Sequence, residues 1–212
     1  MRQWPRRISQ LSAGLVAYAV SMAFVIQSDL GNMPWDVFHQ GLARQVGLSI
    51  GFWVIALGLL ILLAWIPLRE RPGLGTISNI VVIGFLIDLA LRVVPEPHLL
   101  LARIGYLLAG VLLNGLATAL YVGARMGPGP RDGLMTGLVR RTGRSVRLVR
   151  SSMEVVVVVA GILLGGTFGV GTILYAVSIG PLVQIFLPRF TVPEAPRSAA
   201  PAAAAPAATL AA

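Results

Sequence analysis

Six apolar stretches, near residues 8–26, 50–67, 75–94, 99–122, 145–164 and 171–187, dominate this chain of 212 residues. Most approach the ~20 residues a helix needs to cross the hydrocarbon core of a bilayer. Runs of that length leave no polar face for water, so an all-α integral membrane protein is expected rather than a soluble domain. Composition agrees. The chain is 56% hydrophobic and only 12% charged, about half the charged share of a soluble domain.

The stretches fall into two similar halves. Under a shift of 96 positions, the segment Leu30-Gly31-Asn32-Met33-Pro34-Trp35-Asp36 falls on Met126-Gly127-Pro128-Gly129-Pro130-Arg131-Asp132. Gly41-Leu42, Arg44, Gly47 and Ser49 fall on Gly137-Leu138, Arg140, Gly143 and Ser145. Further on, Gly73-x-Gly75-Thr76-Ile77 falls on Gly169-x-Gly171-Thr172-Ile173, Gly84 on Gly180 and Gly14 on Gly110. Each half holds three apolar stretches. Two odd-numbered units joined in series must insert with opposite topology, so six transmembrane helices in two inverted three-helix repeats are expected. The repeats are placed at residues 1–98 and 99–190. The first stretch, behind Arg2, Arg6 and Arg7 and carrying Ala17-Tyr18-Ala19, imitates a signal peptide. Its counterpart in the middle of the chain argues that it is a span. Residues 191–212, rich in Pro and Ala, are too poor in large apolar side chains to bury a core and read as a disordered cytoplasmic tail.

The basic residues set the orientation. All 17 Lys+Arg positions are arginine. With the N-terminus inside, fourteen lie in cytoplasmic segments, and only Arg44, Arg92 and Arg103 lie outside. Cytoplasmic loops are the ones enriched in basic residues, so both termini are placed in the cytoplasm of a bacterial inner membrane. The net charge of +9 is thereby a topology signal and not a nucleic-acid footprint. The cluster Arg140, Arg141, Arg144, Arg147 and Arg150 also suits anionic lipid headgroups.

The doubled Leu/Met-Gly-x-x-Pro-x-Asp, the Gly-Leu that follows it and the doubled Gly-x-Gly-Thr-Ile resemble the bacterial YczE/YyaS/YitT-type membrane proteins over about residues 8–188. The resemblance is nearer to the YczE-like branch, which lacks the soluble C-terminal domain of YitT-like members. It implies a multi-pass inner-membrane protein of transporter type, with no established substrate or site.

Candidate site residues follow from the repeated segments. Pro34 and Pro130 suit the first turn of a helix. Asp36 and Asp132 then sit where the macrodipole favours a carboxylate, and Gly47 and Gly143 suit the helix end. Segments 34–49 and 130–145 are therefore expected as short extra helices, either amphipathic at the interface or re-entrant. In the re-entrant form their N-termini converge on a substrate site. In the interfacial form the aspartates only stabilise a first turn. His39 matches Met135 and lies outside the shared pattern. Thr76 and Thr172 offer hydroxyls for an ion, against a structural role for the glycines around them in helix packing. Asp88 and Glu154 are ionisable residues within apolar stretches, hence candidates. Each has an arginine four residues away, Arg92 and Arg150, so a surface ion pair competes with function. Asn114 is either a binding amide or a hydrogen-bonding bridge between helices. The Gly161-x-x-x-Gly165 motif suits a homo-oligomer seam or packing within the bundle.

No cysteine is present, His39 and His98 form no ligand pair, and no Walker motif is found, so no metal, cofactor or enzyme activity is expected. The function expected is secondary transport of a small solute or ion. The competing expectation is a non-transporting accessory that docks a cytoplasmic partner through its Arg-rich loop.

Overall fold

The computed structural model describes residues 3–193. These form eight helices and no strand: α1 (Trp4–Ser28), α2 (Pro34–Val46), α3 (Ile50–Leu68), α4 (Leu74–Val93), α5 (Leu100–Gly123), α6 (Pro130–Thr142), α7 (Val146–Leu163) and α8 (Val170–Phe190). The tail from 194 onward, with Arg197, and Arg2 at the other end lie outside the described residues. Residues 191–193 belong to the packed body. Val192 is fully buried and its N–H donates to the Gly123 carbonyl at 2.9 Å.

The local signals act where the sequence places them. Pro34 and Pro130 stand in the first turns of α2 and α6. The next helices start on serine caps: Ser49 Oγ accepts from Phe52 N–H, and Ser145 Oγ from Leu148 N–H. Gly47 and Gly143 end α2 and α6 in the left-handed region, at φ 77° and 65°, a conformation glycine adopts without penalty.

Five helices, α1, α3, α4, α5 and α8, are long and apolar enough to cross a membrane. The fifth apolar stretch becomes α7, which is not among them. It has 18 residues, and Arg147, Arg150 and Glu154 occupy its first half, so its apolar part is short. The outward surfaces carry Leu63, Phe85, Leu101, Leu163 and Val177. An apolar belt of this extent needs lipid or protein to cover it.

α1 packs along α5 and α4, α8 along α5, α3 along α4 and α6, and α7 along α2. Many contacts occur twice, with the two halves exchanged. A Cβ on Gly14 would lie 2.8 Å from the Tyr121 backbone nitrogen, and one on Gly110 3.1 Å from that of Val25. Both helix pairs therefore approach closely because those positions lack a side chain. Gly75 N–H donates to the Met126 carbonyl and Gly171 N–H to the Leu30 carbonyl, each at 2.8 Å.

The short helices do not span. α2 crosses the C-terminal end of α7: Arg44 donates to the Gly165 carbonyl and Gln45 Nε2 to the Leu164 carbonyl. α6 crosses the C-terminal end of α3, where Arg140 donates to the Leu68 carbonyl. The N-terminal turns, with Pro34, Asp36, Val37 and Pro130 buried, point into the molecule.

A central cavity between the two short helices

The first turns of α2 and α6 meet at a cavity of about 450 Å³, lined also by α1, α3, α4, α5, α7 and α8. That volume lies within the ordinary range of small-molecule sites. Pro34, Trp35 and His39 line it from α2, and Pro130, Arg131, Asp132 and Met135 from α6. In its wall the Arg131 guanidinium lies over the Trp35 ring, 4.7 Å from the ring centre. Trp35 and Arg131 are equivalent positions of the two halves. The aromatic face attracts the cation and leaves its N–H donors free for other partners. Tyr18, Tyr121 and Tyr175 add phenolic hydroxyls to the wall.

The two first-turn aspartates differ in their surroundings. Asp132 lines the cavity, half-buried, and its Oδ2 accepts from the Tyr121 hydroxyl at 3.0 Å. Asp36 lies behind the wall, 1% exposed. Its Oδ1 accepts from His39 Nδ1 at 3.1 Å, while Oδ2 has no protein partner. The imidazole must carry its proton on Nδ1 to make that bond. Burial, the largest influence, lowers the His39 pKa below its ordinary value, and the Asp36 hydrogen bond partly restores it.

Glu154 and its neighbour Arg150 both line the cavity, paired at 3.0 Å with the i,i+4 spacing read from sequence. Asp88 is elsewhere. It caps α3 by accepting the Gly51 N–H at 2.9 Å, which gives it a backbone partner instead of Arg92. Thr76 and Thr172 lie outside the lining and reach back to the first N–H groups of α4 and α8, those of Gly73 and Gly169. Thr76 also donates to the Pro128 carbonyl at 2.7 Å, tying α4 to the loop before α6. Asn114 is fully buried just behind the wall. It donates to Ser21 Oγ at 2.8 Å and accepts from the Tyr175 hydroxyl at 2.9 Å, joining α1, α5 and α8.

Of the residues singled out from sequence, the structure thus brings Pro34, Pro130, Asp132 and Glu154 to one cavity. It places Asp36 and Asn114 immediately behind the wall, and Asp88, Thr76 and Thr172 at helix ends. The cavity residues that sequence reasoning passed over are His39, Arg131, Trp35 and the three tyrosines. Among the described residues no three His, Asp or Glu side chains gather as a metal site requires.

An uncharacterised protein of Haemophilus influenzae is 41% identical over 182 residues, covering 86% of this chain and 84% of the relative. The uncharacterised membrane protein YczE of Bacillus subtilis is 36% identical over 179 residues, 84% of this chain and 83% of its own. The uncharacterised protein YyaS of the same organism is 28% identical, over 82% of this chain and 89% of its own. No solved structure matches. The resemblance to YczE and YyaS read from the doubled motifs therefore holds over most of the chain. With a family model covering residues 5–188, this membrane protein belongs to DUF6198, a family of unknown function.

Proposed function

We propose that the protein is a secondary transporter of the bacterial cytoplasmic membrane, with both termini inside, and that the central cavity is its translocation site. The observation that carries this reading is the meeting of α2 and α6, equivalent helices of the two halves, with their N-terminal turns at one cavity. A non-spanning helix whose start reaches the interior is the arrangement that secondary transporters use for binding. The exchanged contacts support two inverted repeats, with α7 as a sixth, charged span facing protein on one side. Rocking one repeat against the other would then expose the cavity to each side in turn.

Asp132, exposed to the cavity and held by the Tyr121 hydroxyl, is the proposed site for a coupling cation or proton. Asp36, dry and with one oxygen unpartnered, is the proposed second coupling residue. In proteoliposomes the changes Asp36→Asn and Asp132→Asn are expected each to abolish solute-driven flux while leaving expression and folding near normal. Asparagine keeps the shape and removes the charge. If these aspartates act only as first-turn stabilisers, the double variant transports normally and loses roughly 0.3–1 kcal/mol of stability per site. Normal flux in that variant rejects their role.

The accessory reading has its support in the five arginines of the 140–150 segment, all of which are exposed. An accessory needs no hydrated interior, whereas a cavity with Arg131, Asp132 and Glu154 in its wall favours transport.

A further inference from the structure

The exchanged contacts fail at one seam. α3 and α4 pack tightly: Gly51 faces the Gly84 backbone with no room for a Cβ, and a Cβ on Gly58 would lie 2.8 Å from Ile80 Cγ1. The equivalent helices, α7 and α8, barely touch. The sequence explains the difference. Arg147 replaces Gly51, Ser151 replaces Ile55 and Glu154 replaces Gly58, while Ala176 replaces the filling side chain of Ile80. Gly180, the counterpart of the crowded Gly84, would have nothing within 4 Å of an added Cβ. Pro181 follows it within α8, where it removes a backbone hydrogen bond and weakens the helix locally.

The open seam leads to the cavity. Arg150, Met153 and Glu154 line it from α7, and Ile179, Val183 and Gln184 from α8. The α8 side of the path is thus mostly apolar, and the α7 side carries the Arg150–Glu154 pair. Inside, Arg131 has no carboxylate within ion-pair distance among the described residues; its contact is the Trp35 ring. The Arg150 charge is already matched by Glu154. Asp132, also in the wall, is engaged by the Tyr121 hydroxyl and forms no ion pair with Arg131, so the Arg131 guanidinium keeps its donors for a ligand at the end of a partly apolar slot.

We propose that the α7–α8 seam is a lateral portal, and that the cavity takes an anionic amphiphile from the bilayer. The carboxylate or phosphate head would lie against Arg131 and the apolar chain along the seam. A guanidinium recognises such heads through paired N–H donors, and a slot facing lipid holds a chain without exposing it to water. This deepens the transport reading by naming the substrate class, and it rests on the same cavity.

The test is equilibrium binding of 9,10-dibromostearate to the purified protein in phosphatidylcholine nanodiscs, read as bromine quenching of Trp35. The Trp35 signal is the difference between the wild type and Trp35→Phe. Saturable quenching is expected, weakened at least tenfold in Arg131→Gln. Gly180→Leu, which fills open space, is expected to weaken it similarly at an unchanged melting temperature. The uncharged dibromostearyl alcohol is expected to give only unsaturable quenching. Equal quenching by acid and alcohol, or unaltered quenching in Arg131→Gln, would overturn the proposal. So would displacement by butyrate at the concentrations at which decanoate displaces, because the site would then take a soluble anion. Should Gly180→Leu fail to fold, the acid–alcohol and Arg131→Gln comparisons still decide. No flux is measured, so a negative result leaves two-sided access to the cavity untouched, and the reverse also holds.

Discussion

Asn114 is held by Ser21 on one side and Tyr175 on the other, both by side-chain hydrogen bonds. Interhelical bonds of this kind in membranes stabilise by about 1–2 kcal/mol in model peptides and less in whole proteins. Asn114→Ala is expected to lower stability by roughly 1 kcal/mol, read as unfolding in mixed micelles. No loss would show that α1, α5 and α8 are held by packing alone. Trp65→Phe removes the indole N–H that donates to the Pro130 carbonyl at 3.0 Å, at a cost of about 0.5–1.5 kcal/mol. The same experiment checks it, and a larger loss would show that packing of the indole on α6 dominates.

At this scale the sequence was legible where a residue acts on its own helix. Pro34, Pro130, Gly47, Gly143 and the Arg150–Glu154 pair depend on neighbours within one turn or two, so spacing alone reveals them. Arg131 and Trp35 meet across the molecule, and nothing near either in the chain marks the contact. Arg131 reads as one more topology arginine, and Trp35 as part of an apolar helix face. Asp88 misleads for the same reason: Arg92 is near in sequence, while the donor it uses, the Gly51 N–H, belongs to another helix.

Helix seams depend on where side chains are missing. Gly51 faces the Gly84 backbone without space for a methyl group, whereas a Cβ on Gly105 would meet nothing within 4 Å. Gly51→Ala should therefore force α3 from α4 and cost about 1–3 kcal/mol as overpacking. Gly105→Ala should be neutral, or stabilise α5 by up to about 1 kcal/mol. Comparing the two melting temperatures checks the seam, and equal effects would reject it. The number and rough extent of the helices were readable from apolar runs. The status of α7 was not, because 145–164 counts as one apolar stretch until its three early charges are placed on a helix of 18 residues.

For the whole molecule, the 96-residue shift brings together positions whose contacts the structure exchanges between halves, as with Gly75–Met126 and Gly171–Leu30. The proposed topology predicts that reporter fusions after Arg7, Arg144 and Arg189 all read cytoplasmic. A periplasmic signal at Arg144 would remove both the orientation and the inverted arrangement. The central claim is that one cavity serves both sides of the membrane. The chain has no cysteine, so a single Thr118→Cys, on the cavity wall in the C-terminal third of α5, can be probed without background. In oriented vesicles, membrane-impermeant thiol reagents added to either side separately are expected to modify Cys at this position. Modification from one side only, or from neither, would contradict alternating access.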